Sequence, residues 1–163
     1  MSDTTSALHV LTMAAESATA IGVGIAACQL WLNRRQAITT FEDSLAREYR
    51  ELAAKLPTKV FLDDGLLSDE EYREAFDKFY QYFDFSNEQV FLRQKGRISQ
   101  PTWIYWRDGI RSNVERAAFS KAWADISKRI GGDFSELRHL IETDFEQDPR
   151  EWSCDANSQS KSD

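Results

Sequence analysis

The sequence predicts an all-α protein: an N-terminal transmembrane helix that continues into a stalk, followed by a small antiparallel helical bundle. Three observations predict it. Between Ala7 and Leu32 the only charged side chain is Glu16, and the run stops at Arg34 and Arg35. From Ile38 onward, apolar residues recur at steps of three and four, the period of a helix with one buried face. Capping and stopping residues separate these segments, and no useful length of chain alternates with the period of a strand.

The first element is the apolar run. About 20 apolar residues cross a bilayer, and residues 7–33 are long enough, although Ala, Gly, Ser and Thr dilute their hydrophobicity. A carboxylate at the bilayer centre costs roughly 2.5–3.5 kcal/mol, so Glu16 is an intramembrane polar residue that fits best toward the outer end of a tilted helix. Basic residues are retained on the cytoplasmic side. Arg34 and Arg35 follow the run and none precedes it, which predicts a single pass, N-terminus out and domain in the cytoplasm. Trp31 stands where an aromatic anchors at the inner interface. A buried helix and a cleaved leader are the competing readings, the latter disfavoured because the basic residues follow the apolar run. Ala14, Ala18, Gly22 and Ala26 recur at spacing four, a small-residue face that lets a second helix approach and predicts a homo-oligomer.

Composition sets the rest. At 163 residues and 42% apolar content, the chain has room for one domain beyond the anchor. Its net charge is −7, with only Asp3 and Glu16 charged before Arg34, so the domain is acidic and nucleic acid is not an expected partner. Cys28 and Cys154 have no metal-ligand neighbours and suit a reducing compartment.

Residues 1–6 form a polar outer stub. After the anchor, Ile38, Phe41, Leu45, Tyr49, Leu52 and Leu56 line one face of a stalk over residues 34–56, ended by Pro57. Its opposite face, Glu42, Asp43, Arg47, Glu48, Arg50 and Glu51, reads as solvated surface. The bundle spans 57–148. Ser68 and Glu71 have capping-box spacing, and the helix they open carries Tyr72, Ala75, Phe76, Phe79, Tyr82 and Phe83 as an aromatic core stripe. A second capping pattern, Ser86 with Gln89, predicts a kink or restart at 84–88, and Gly96 a left-handed stop. Ser99 to Pro101 opens the next helix, with Trp103, Trp106 and Ile110 inward and Arg107 and Arg111 beside them, placed to stack on the indoles. Residues 114–130 follow as one helix ending at Gly131 and Gly132. Asp133 with Glu136 predicts the cap of the last helix, and residues 149–163 read as a disordered tail.

No chemistry is assembled by spacing. Glu136 and His139 form half of a di-metal arrangement, whose other half is missing because the only other histidine is His9. There is no phosphate loop, no paired Cys and His nucleophile, and no cation loop. No cofactor or metal is expected. Asn87, Glu88, Arg93, Arg97, Trp103, Trp106, Arg107 and Arg111 are the interaction candidates, because Trp and Arg dominate binding hot spots.

The segments LWLNRRQAITTFEDSLAREYREL, FYQYFDFSNEQVFLRQKGRIS and TWIYWRDGIRSNVERAAFSKAW carry a resemblance, most distinctively in NEQVFLR, Asn87 to Arg93, and W-x-x-W-x-x-G-I, Trp103 to Ile110. They resemble a set of small bacterial single-pass membrane proteins that begin with one apolar helix. The resemblance implies the tethered layout and supplies no catalytic residue.

The functional expectation is a membrane-tethered cytoplasmic interaction module that self-associates, with the lipid bilayer and a cytoplasmic protein as partners. One alternative is an effector that oligomerises to perturb the bilayer through Glu16. Another is an enzyme, which predicts a deep polar pocket around Glu88, Arg93 and Arg97.

Overall fold

The computed structural model describes the backbone of residues 2–62, 65–129 and 131–152, and their side chains from residue 19 onward except residue 20. Among the described residues there are five α-helices and one 3-10 turn, and no strand. The helices are α1 (Ser2–Ala53), α2 (Asp69–Gln94), α3 (Gln100–Glu115), α4 (Ala117–Ser127) and α5 (Ser135–Glu142), with the 3-10 turn at Thr58–Phe61. The chain divides into two compact units, Met1–Phe41 and Glu42–Asp163.

The first unit is helical, and the side chains of residues 21–40 are exposed. Ile21, Val23 and Ile25 stand 64%, 65% and 54% exposed, and at spacing two they point in different directions round a helix, so the apolar surface is not confined to one stripe. The Arg35 guanidinium lies 5.7 Å from the Trp31 ring centroid, and the Thr39 hydroxyl donates to the Arg35 carbonyl at 3.2 Å. Among the described residues no helix is long and apolar enough to cross a membrane. The small residues that dilute the run and the basic pair that ends it both act against that length. Ala14, Glu16 and Ala18 have side chains outside the described residues.

The second unit is built on α2, which packs on α4 and α5, while α3 and the 3-10 turn pack on α4. The aromatic stripe expected on α2 is its core: Tyr72, Ala75, Phe79, Tyr82 and Phe83 are buried, and Phe76 is half-buried. Phe119 of α4 sits edge-on against Phe79, Tyr82 and Phe83 at 5.1, 4.9 and 6.3 Å. Edge-to-face rings add favourable quadrupole contacts to their burial. Along the second part of α1, Leu45 is buried and Tyr49 and Leu52 half-buried, on the expected face.

The Ser68 capping box forms as its spacing predicts, Ser68 Oγ accepting from Glu71 N–H and Glu71 accepting from Ser68 N–H at 2.8 Å. Gly96 takes φ +68°. Its N–H bonds to the Arg93 carbonyl and that of Arg97 to the Leu92 carbonyl, both at 2.9 Å, which closes the last turn of α2 with the left-handed residue that Gly adopts at least cost.

Three boundaries differ from expectation. No kink or restart occurs at 84–88, because the buried Ser86 hydroxyl bonds back to the Tyr82 carbonyl at 2.8 Å and so sits inside a continuing helix. The helix expected over 114–130 is divided instead at Arg116, whose ψ of 142° is extended. α5 has Phe134 at its N-cap, in left-handed geometry at φ 58° and with no side-chain cap of its own, in place of Asp133. Residues 153–163, including Cys154 and most of the expected tail, lie outside the described residues.

Candidate functional site

Two of the interaction candidates are taken up by the fold itself. Arg93 is 3% exposed. Its Nε donates to Asp148 Oδ1 at 2.9 Å, Nη2 donates to Asp148 Oδ2, and Nη1 donates to the Ile98 carbonyl at 2.9 Å. This planar fork ties the segment after α5 to the end of α2. Burial acts to raise the Asp148 carboxyl, and the hydrogen bonds from Arg93 outweigh it, so the group is held below the usual carboxylate range. Asn87 Oδ1 accepts the backbone N–H of Leu137 at 2.9 Å.

The remaining candidates separate. Trp103 and Trp106 are buried in the face of α3 that meets the core. Arg107 bonds to its neighbour Asp108 at 3.0 and 2.8 Å. Arg111 pairs with Glu115 and Asp144 and lies 5.8 Å from the Phe145 ring, so neither guanidinium makes the indole stack that spacing suggested. Glu88 and Arg97 are exposed. Desolvation, with the charges of Glu48 and Asp84, raises the Glu88 carboxyl. The polar pocket that an enzyme reading predicted around Glu88, Arg93 and Arg97 is not assembled, since Arg93 is closed off by Asp148 and the other two face solvent. The bilayer-perturbing reading turns on Glu16, whose side chain is outside the described residues. Gly22 and Ala26 are exposed, and nothing lies within 4 Å of a Cβ at Gly22. Among the described residues no group of three or more His, Cys, Asp or Glu is placed to hold a metal. His139 packs edge-on against Trp152 at 4.5 Å.

What the structure does assemble is a cleft of about 390 Å³ between the second part of α1 and α3. Pockets that take small molecules run about 300–1,000 Å³. Its walls are aromatic: Tyr49 from α1, Tyr82 from α2, and Tyr105 and Trp106 from α3. Gln89 joins Tyr82 and Ile110 among its buried lining residues, and Arg50 and Gly109 are exposed at its mouth beside Tyr105, which is 79% exposed.

A chain of hydrogen bonds sets the polarity of the inner wall. Arg116 has only donors, and its Nη1 takes the Oδ1 of the buried Asn113. That fixes the amide with Nδ2 directed to Tyr82 Oη at 2.9 Å and Tyr49 Oη at 3.4 Å. Both phenols therefore act as acceptors toward Asn113 and keep their own protons for another partner. Burial pushes the Tyr82 hydroxyl up, so it stays a protonated donor. Gln89, 3% exposed as a residue, makes no side-chain hydrogen bond among the described residues.

Of the cleft's polar residues, only Trp106 was among the sequence candidates. The signal for Gln89 was visible in the sequence only as half of a capping pattern, and the convergence of Tyr49, Tyr82 and Asn113 joins positions that no local spacing relates. Comparison with protein-family models, curated proteins and solved structures gives no match for this chain. The functional reading rests on the chain's own residues.

Proposed function

We propose that this protein is a membrane-tethered binding module, in which the apolar run of α1 lies in a bacterial inner membrane and the domain from Glu42 onward presents the cleft between the second part of α1 and α3 on the cytoplasmic side. The observation that carries the tether is the exposure of the run. From Ser17 to Asn33 no side chain is charged, and Ile21, Val23, Ile25, Leu30, Trp31 and Leu32 are all 49–70% exposed. Apolar surface of that extent is unfavourable in water, at roughly 25 cal/mol per Å².

A bilayer suits this surface better than a protein groove. A groove covers one stripe of a helix, whereas here the apolar residues lie on several sides. Trp31 and the Arg34–Arg35 pair follow the run in the order that the inner interface favours. Two anchors would meet along Gly22 and Ala26, where small residues permit close approach. The cleft is the binding surface in this reading, because Asn87, Arg93 and Trp103 are engaged within the fold while the cleft retains donors without partners.

Fractionation tests the tether. Full-length tagged protein is expected to stay in the membrane pellet through carbonate and high-salt washes, and deletion of residues 1–32 is expected to release it. Full-length protein that washes into the supernatant removes the reading.

A further inference from the structure

We propose that the cleft between α1 and α3 binds a purine nucleotide, with the base read by Gln89 and the phosphate held at the mouth by Arg50. The inference rests on the cleft being the binding surface in the reading above, and it does not depend on the anchor.

A carboxamide offers a donor and an acceptor side by side, and Gln89, 3% exposed as a residue, lines the cleft with neither taken up by a protein partner among the described residues. A group that satisfies both at once must present the complementary acceptor and donor on one edge. The N6 and N7 edge of adenine does so, and a carboxamide pairs with it through two hydrogen bonds.

The walls fit the body of the same ligand. Tyr49, Tyr82, Tyr105 and Trp106 line the cleft, and aromatic side chains hold bases through their flat faces. The Tyr49 and Tyr82 oxygens already accept from Asn113, which leaves two O–H donors for ring nitrogens or ribose oxygens. A volume of about 390 Å³ accommodates a ligand of this size.

The mouth supplies the charge. Arg50 is exposed and makes no ion pair among the described residues, whereas the nearby Asp108 is taken up by Arg107. One guanidinium on an acidic chain suits a mononucleotide and not a polymer, whose binding needs many phosphate contacts. The order from floor to mouth also argues against a partner's apolar side chain. Protein interfaces place apolar groups at the centre and polar groups at the rim, and here a polar group lies on the floor.

The test uses the full chain in detergent micelles, with radiolabelled AMP and adenosine as probes in equilibrium binding. Saturable AMP binding at one per chain is expected. Gln89→Leu keeps the volume nearly unchanged and is expected to weaken AMP by at least about tenfold, the cost of losing a two-bond pair to the base edge. Arg50→Gln is expected to weaken AMP while leaving adenosine unchanged. Gly109→Leu places a side chain on the cleft lining where a Cβ meets nothing within 4 Å, so it blocks the cleft without crowding the core and serves if Gln89→Leu does not fold. Absence of saturable binding at millimolar probe overturns the proposal, as does binding that persists in folded Gln89→Leu and Gly109→Leu proteins. Carbonate extraction of the same variants reads the tether separately: retention without nucleotide binding removes the ligand and leaves the tether standing, and nucleotide binding by a protein that washes off does the reverse.

Discussion

Asn87, in the C-terminal half of α2, caps the first turn of α5, its Oδ1 accepting the Leu137 N–H at 2.9 Å. The first N–H groups of any helix lack internal partners. The N-cap of α5, Phe134, brings no side-chain acceptor, so the acceptor comes from 50 residues away. Asn87→Ala is expected to lose about 1–2 kcal/mol of stability, the usual cost of an N-cap acceptor, and hydrogen exchange at Leu137 should quicken with it. Asn87→Asp retains an acceptor and adds negative charge at a helix N-terminus, so it should hold the wild-type denaturation midpoint or raise it. Equal losses in both variants would show that the bond contributes nothing.

α3 has the same arrangement. Its Ser99 hydroxyl turns to Thr102 at 3.0 Å and does not cap the helix. Glu42 of α1 instead accepts the Ser99 N–H at 2.6 Å and the Thr102 hydroxyl at 2.7 Å. Glu42→Ala is expected to destabilise the domain by about 1–2 kcal/mol, whereas a residue on a solvated face stays within about 0.5 kcal/mol. Chemical denaturation of the variant separates these outcomes.

These two caps mark the limit of what the residue pattern reveals. The Ser68–Glu71 box and the Gly96 stop were readable because their partners lie within a turn of helix, and the α2 stripe was readable because burial on one face imposes a period of 3.6. Glu42 looked like surface because a charge on a helix face is ordinarily solvated, and nothing local relates it to a helix start 57 residues later. Asn87 and Arg93 stood out as polar residues in a distinctive segment, and their distinctiveness is structural. Ser86 had capping spacing, yet its hydroxyl found an acceptor in the preceding turn of α2. The cleft was hidden for the same reason as the long-range caps, since Tyr49, Tyr82 and Asn113 meet only once α1, α2 and α3 are packed.

Glu71 provides a titration that reports on the start of α2. Hydrogen bonds from Lys59, at 2.7 Å to each carboxylate oxygen, and then from the Ser68 N–H and hydroxyl lower its carboxyl to about 2. A carboxyl lowered on folding stabilises the native state above its unfolded value of about 4.3, and that stabilisation disappears as pH falls toward 2. A carbon-detected titration should place Glu71 near that value, and Lys59→Ala should move it upward. An ordinary Glu71 titration in the wild-type protein would remove the claim that these contacts persist in solution.

The Arg93–Asp148 pair should give the largest single loss in the domain. Arg93 is 4% exposed in its side chain and Asp148 22%, so removing the carboxylate leaves a buried cation whose only remaining bond is to the Ile98 carbonyl. Breaking a buried pair from one side costs about 3–5 kcal/mol, whereas replacing both partners with apolar groups of similar size is close to neutral. Asp148→Ala is therefore expected to be severely destabilised, and Arg93→Met combined with Asp148→Leu to recover much of the loss. The pH dependence follows from the direction of the shift. Because Asp148 is held lower in the folded state than its unfolded value of about 3.9, its contribution is complete above that value and lost as pH falls through the folded one. The deficit of Asp148→Asn relative to wild type should accordingly narrow in acid, and denaturant midpoints measured across that range read it directly. A deficit independent of pH would mean that the bond geometry at Asp148 matters and its charge does not.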